Sequence, residues 1–291
     1  EWHRHIQIWE MFPAFCRTPD TVATEFKKIA QTLGTRVKEP DFRNAVCSGL
    51  ETLVASCKRA EIAADSTEEI KKQAKDALAV MSTYSKNFLP CLFNTMSTTD
   101  QSQRGPVIAA IDAYLSVSPV PISNAFFKEI INQITSSAAA KAGEDEAITP
   151  AATAEAAERV ITLTDLAIPF ASHLDTENAQ TLCGGIVPLL TAENTTVQKR
   201  AWRVVNAMCY QGAIVTRSHS QLGQLIIEKV PAPCARRVWL KCVSSLATTA
   251  RKAGLTNWLT TSFVVSTLPS IILDRKSTRL NSRHGKLARM T

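Results

Sequence analysis

Lys199, Arg200 and Arg203 crowd two turns of a would-be helix, and 38 residues later the same charge returns. Arg237 then stands where Lys199 stood, and Lys241 where Arg203 stood. Cations fixed at helical spacing suit one chemistry above others, the neutralisation of phosphates along a nucleic-acid backbone. No aromatic residue interleaves with them on the basic stripe itself, so no stacking on bases is expected of it. The simpler reading of any one such face is solvation. Its recurrence at a fixed offset turns Lys199, Arg200, Arg203, Arg237 and Lys241 into a candidate RNA-binding stripe.

Two helices must position that stripe. Laid on Ala235–Ala247, the segment Val197–Cys209 matches Val205 with Val243 and Met208 with Leu246. On a helical wheel Val197, Ala201, Val204, Val205 and Met208 share an apolar face, opposite the cations. In the second copy Ala235, Trp239, Cys242 and Leu246 face away from Arg237, Lys241 and Lys252. Trp239 is expected to pack between repeats and Trp202 to sit towards an edge. Equivalent helices of neighbouring repeats lie side by side in a solenoid, which would join the two basic faces.

Other chemistries find no residues. No phosphate-binding loop, dinucleotide fingerprint or nucleophile elbow occurs. The histidines at 3, 5, 173, 219 and 284 are scattered, and His3 and His5 would not face each other on a helix. Eight cysteines (16, 47, 57, 91, 183, 209, 234 and 242) form no C-x-x-C pair. They read as small hydrophobes on helical faces in a reducing compartment. The expectation is a protein that is not an enzyme, with no catalytic residue, cofactor, metal or small-molecule substrate. Gly184-Gly185 is expected to permit close helix packing.

The elements behind these helices repeat along the whole chain. Pro13, Pro90 and Pro169 sit in apolar clusters 77 and 79 residues apart, and Pro188 and Pro269 are 81 apart. Each interval is near twice 40, and periods of about 40 residues mark stacked helical hairpins. The fold expected is all-α, an α-solenoid of HEAT/armadillo-like repeats with about twelve helices. Thr18-Pro19-Asp20 and Pro40 should open helices, Gly34 should close one, Pro90 should break one, and Ser66 to Glu69 should form a capping box. Asn194, although part of a formal glycosylation sequon, reads as an N-cap. Repeats are expected over 1–142 and 151–273, with an acidic, low-complexity loop at 143–150 between them. The uncharged run from Ala253 to Leu273 is too polar for a convincing membrane span and reads as a buried helix.

The net charge is +7 over 291 residues. The segment 274–291 holds six Lys/Arg and one Asp, which leaves a body of 27 basic and 25 acidic residues. Any nucleic-acid site in that body must be a local patch. The segment has no helical period and reads as a disordered basic tail. It looks like translated adapter sequence, the alternative being a genuine basic tail or localisation signal. With Glu1 in place of methionine, the chain is expected to be an internal portion of a longer protein.

Several runs resemble a known family. Ile8-Trp9, Pro13, Phe15-Cys16 and Pro19-Asp20 are similar to the opening of the HEAT-repeat region of ribosomal RNA-processing protein 12. So are Phe26, Thr32-Leu33-Gly34, Pro40-Asp41-Phe42-Arg43, Cys47, Leu50 and Leu53. The likeness resumes at Phe88-Leu89-Pro90, Phe93-Asn94 and Val197–Val204, where Trp202 takes an aromatic position of the family. The resemblance implies a nuclear, nucleolar scaffold of ribosome biogenesis. Such a scaffold would act in pre-rRNA processing, subunit maturation and nuclear export, with pre-ribosomal particles, pre-rRNA and nuclear transport factors as partners. The family has no catalytic residues to carry over. The alternative is a generic HEAT protein-interaction module, such as a nuclear transport receptor or phosphatase scaffold, which an exposed apolar groove between repeats would favour.

Overall fold

The computed structural model describes residues 1–139 and 150–271, and every regular element in them is helical. The acidic segment 143–150, save its last residue, and the tail 274–291 lie outside the described residues. Twelve α-helices of nine or more residues appear, as expected, with a further helical stretch at 256–271. The chain forms two compact units. One comprises Glu1–Gln133 with Asp165–His173, the other Ile134–Thr164 with the described chain from Leu174 onward.

The first unit is built on α5 (Pro40–Ile62), the longest helix of the described chain. Pro40 opens it, where the missing N–H costs nothing. Phe42, Val46, Leu50 and Leu53 recur at helical spacing along it and are fully buried. Against it lie α1 (Trp2–Glu10), α2 (Phe12–Phe15), α6 (Glu68–Thr83) and α8 (Gly105–Leu115). Gly49 lets α2 come close, since a Cβ there would run into the ring of Phe12.

Residues 41–43 of the family-like run each hold something in place. The Trp2 indole donates to Asp41 (3.0 Å) and its ring meets Phe42 edge-on at 5.2 Å. Arg43 is buried, donating to the carbonyls of Val37 (3.4 Å) and Lys38 (3.0 Å) and so tying down the turn before α5.

A second buried arginine, Arg104, donates to the Thr99 carbonyl and pairs with Asp165 at 3.0 Å. Its partner belongs to α10 (Pro150–Phe170). Both side chains are almost wholly out of water, so the pair fixes geometry more than it adds stability.

Several expected boundaries move. Residues 17–20 are a turn; a short helix begins at Thr21, and α4 (Phe26–Arg36) runs straight through Gly34. A helical glycine is tolerated at a cost of about 1 kcal/mol, and nothing there calls for positive φ. Pro90 breaks nothing, because it lies inside α7 (Ser85–Ser97). The break falls at Tyr84, where φ −89° and ψ 1° leave the helical region. Burial of Phe88, Leu89 and Leu92 around the proline outweighs the lost hydrogen bond. Thr67, not Ser66, caps α6 by accepting from the Ile70 N–H, so no capping box forms.

The second unit contains α11 (Thr176–Ile186), α12 (Thr195–Cys209), α13 (Gly212–Glu228) and α14 (Arg236–Lys252). Asp175 and Asn194 cap α11 and α12, the latter as expected. Gly254, at φ 78°, ends α14 with the paired bonds Leu255 N–H to Ala250 O and Gly254 N–H to Arg251 O. Beyond it the uncharged run is only half buried. Leu259, Phe263 and Thr267 face inward, while Thr260, Thr261 and Ser266 face water. Gly223 approaches Trp258, where a Cβ would come within 2.7 Å of the ring. Gly184, by contrast, faces open space and makes no close approach.

Trp239 is fully buried, and its indole donates to the Ile226 carbonyl (2.9 Å) in the last turn of α13. That carbonyl has no partner within its own helix, so the tryptophan satisfies a helix end while filling the core. Trp202 is equally buried, contrary to its expected edge position. The wheel placed it beside the apolar stripe, but α14 covers that side.

Six cysteines are buried, Cys91 is half-buried and Cys234 is exposed. Burial pushes the thiols of Cys16 and Cys47 up to about 12 and those of Cys57 and Cys183 up to about 11. It raises Cys209 and Cys242 as well. A thiol so placed is neither a nucleophile nor a ready metal ligand.

Two outcomes are expected. Trp239→Ala should lower unfolding stability by about 3–5 kcal/mol in urea titration, the range for truncating a buried aromatic. A loss under about 1 kcal/mol would put the ring on the surface. In a thiol-reagent titration of the native chain near neutral pH, Cys234 should react at once and Cys91 slowly. The other six should react only after unfolding, and fast reaction of three or more native thiols would contradict their burial.

Candidate nucleic-acid interface

The register between α12 and α14 decides whether the five cations meet. Cys242 donates to the Trp202 carbonyl (3.3 Å), Ser245 to the Asn206 side chain (3.0 Å) and Cys234 to the Gln198 side chain (3.7 Å). Partner numbers rise together on both helices, so the helices run parallel and side by side. Each residue of α12 lies level with one 36 to 40 positions later. Lys241 is thus level with Trp202, and Arg237 with a point just beyond Gln198.

This contact spends one flank of each helix. In α14, Cys242 and Ser245 turn towards α12, Trp239 and Leu246 turn into the core, and Arg237 and Lys241 face water. In α12, Val197, Ala201, Val205 and Met208 fill the core, and Arg203 is exposed. Lys199 and Arg200 are half-buried, Arg200 on the flank away from α14. Lys199, Arg203, Arg237 and Lys241 accordingly occupy the outer sides of two adjacent helices. Among the described residues, no carboxylate pairs with any of these four.

The charge around them is lopsided to a degree that the wheel comparison misses. Residues 194–252 hold ten Lys and Arg against one acidic residue, Glu228. Residues 1–193 hold seventeen against twenty-four. A count along the sequence would have found this; comparison of two helices does not. Arg217 and Arg236 also belong to the excess, although each has local work. Arg217 donates to Thr176 and Arg236 to the Pro231 carbonyl.

Elsewhere two histidines pack within the fold. His173 meets Asp112 at 3.0 Å, and His219 packs edge-on to Trp258 at 4.7 Å. Among the described residues no three His, Cys, Asp or Glu gather as a metal site would require. No helix in them is long and apolar enough to cross a membrane.

Comparison with known proteins bears on the whole chain. Residues 4–99 match the family model described as ribosomal RNA-processing protein 12, HEAT repeats. An RRP12-like protein of Homo sapiens is 28% identical over 295 aligned positions, which cover 97% of this chain and 20% of that protein. An RRP12-like protein of Gallus gallus is 25% identical, covering 95% of this chain and 20% of that protein. Ribosomal RNA-processing protein 12 of Saccharomyces cerevisiae is 23% identical, covering 95% and 23%. The chain therefore spans about a fifth of the length of these relatives. The family model takes in the run from Asp41 to Leu53, and the longer alignments reach the basic helices as well. The resemblance read from the sequence holds: residues 4–99 are similar to the HEAT repeats of ribosomal RNA-processing protein 12, and the chain is similar over nearly its whole length to RRP12-like proteins.

Proposed function

We propose that the chain is part of a non-catalytic HEAT-repeat scaffold of ribosome biogenesis, and that the outer faces of α12 and α14 contact pre-rRNA. The observation that carries this reading is the segregation of charge. Ten cations and one carboxylate fall in 59 consecutive residues, and four of those cations line two parallel neighbouring helices without acidic partners. Such a surface has little to gain from another basic or neutral protein and much from a polyanion. On this reading the protein works in the nucleus and nucleolus, on pre-ribosomal particles, and meets nuclear transport factors during subunit export. The names of the relatives supply the ribosomal setting. The cations supply the nucleic acid.

A second reading has an observation of its own. Ile8, Met11 and Phe15, on and between the first two helices, are more than half exposed, and Trp9, Phe12, Phe15 and Leu33 line a groove of about 600 Å³. An apolar surface of that kind suits a protein partner. It lies on the first unit, away in sequence from the basic helices, so both readings can hold for one scaffold.

The test is RNA binding at several salt concentrations, comparing the wild type with the triple variant Lys199→Glu, Arg203→Glu, Lys241→Glu. Each phosphate contact on single-stranded RNA contributes about 0.7 to the salt slope, so losing three should flatten it by about two units. Weakening should be similar for unrelated RNA sequences. Unchanged affinity and slope would remove the stripe as an RNA site and leave acidic protein partners as its better match.

A further inference from the structure

The basic face of α14 does not end at Lys241. Continuing along its exposed side come Ser244, Thr248 and, as the last residue of the helix, Lys252. Across from them, just past the end of α12, stands Tyr210, which is 62% exposed. Tyr210 follows Arg203 by seven residues, two helical turns, and so stands on the same outer side. Between the two helix ends lies a cleft of about 510 Å³ lined by Tyr210, Thr216, Ser244, Thr248, Thr249 and Lys252. Its size falls in the range of small-ligand sites.

Ser244, Thr248 and Thr249 make no side-chain hydrogen bond among the described residues. Thr216 donates to the Gly212 carbonyl (2.7 Å) and keeps its oxygen free to accept. No carboxylate lines the cleft. Hydroxyls that can both donate and accept, one exposed aromatic ring and one ammonium group are the three things an unstacked nucleotide asks for. The ring offers its face to the base, the hydroxyls offer partners to the base edge and the 2′-OH, and the ammonium meets the phosphate.

We infer that this cleft holds one nucleotide of single-stranded RNA, with its base on Tyr210 and its phosphate at Lys252, at the end of the track laid by Arg203, Arg237 and Lys241. The inference rests on the RNA reading proposed above and adds a preference to it. Phosphates alone do not tell a strand from a duplex, whereas a stacking ring does, because a duplex keeps its bases inside.

The experiment measures binding of the whole chain to a labelled oligouridine and to an RNA duplex of the same length. It compares wild type, Tyr210→Ala and Tyr210→Phe. Tyr210→Ala should weaken oligouridine binding by about 5- to 150-fold, the equivalent of one lost base stack, and leave duplex binding unchanged. Tyr210→Phe should behave as wild type, since the ring remains. Equal weakening towards both RNAs, or none, would overturn the nucleotide site while leaving the phosphate stripe standing. Failure of Tyr210→Phe alongside Tyr210→Ala would also overturn it, by assigning the effect to the hydroxyl. If the wild type binds neither RNA but captures a polyglutamate peptide, both the site and the RNA reading fall.

Discussion

A pair of helices has too little apolar surface facing inward to stand alone, so within each unit a pair must lean on its neighbour. That need shows directly in the hydrogen bonds. Ser56 donates to the Cys16 carbonyl forty residues back, Cys242 to Trp202 at the same separation, Ser245 to Asn206 at 39 and Arg217 to Thr176 at 41. The repeat length is thus a set of contacts, not only a spacing of residue types. A helix caught between two neighbours and a core has one narrow side left for water. Its charges have nowhere else to go. The basic surface of α12 and α14 follows from packing as much as from any ligand, and what demands a functional account is the sign of those charges, not their position.

Polar groups inside the two units set this register. Apolar faces slide easily; a donor that must find one acceptor does not. Arg43 holds the turn before α5, Trp239 closes the end of α13, and Arg104 reaches Asp165. Ion pairs so buried give up about as much hydration as they gain in attraction, so their contribution is to which arrangement forms. The same holds for the thiols and hydroxyls that bridge neighbouring repeats. Each is a weak bond, yet each is available only when the helices stand about forty residues apart.

What could be read from the sequence was whatever depends on residue type at fixed spacing. The apolar face of α12, the Asn194 cap, the burial of Trp239 and the pairing of α12 with α14 all follow from that. The misreadings share another cause. Pro90 and Gly34 are breakers by local propensity, and in both cases burial of the surrounding helix overrides it. Trp202 reads as an edge residue on a wheel drawn for one helix, but it has neighbours on two sides. Tyr210 escaped notice because it lies just past a helix end, where no wheel assigns a face. The charge count over residues 194–252 needed no structure, only a longer window.

The two halves of that count act together. A chain with uniform excess positive charge would hold RNA anywhere along its length, in many orientations. Here residues 1–193 carry an acidic excess and residues 194–252 a basic one, so of these two stretches the second would attract a polyanion and the first would not. Screening limits each contact to about 8 Å at physiological salt, which makes local clustering, not net charge, the quantity that matters. Four cations on two parallel helices satisfy that condition. On the proposed reading, the apolar groove of the first unit would be the surface that meets protein neighbours. On the proposed reading, that division of charge along the sequence would let a scaffold take RNA at one stretch and meet protein at another.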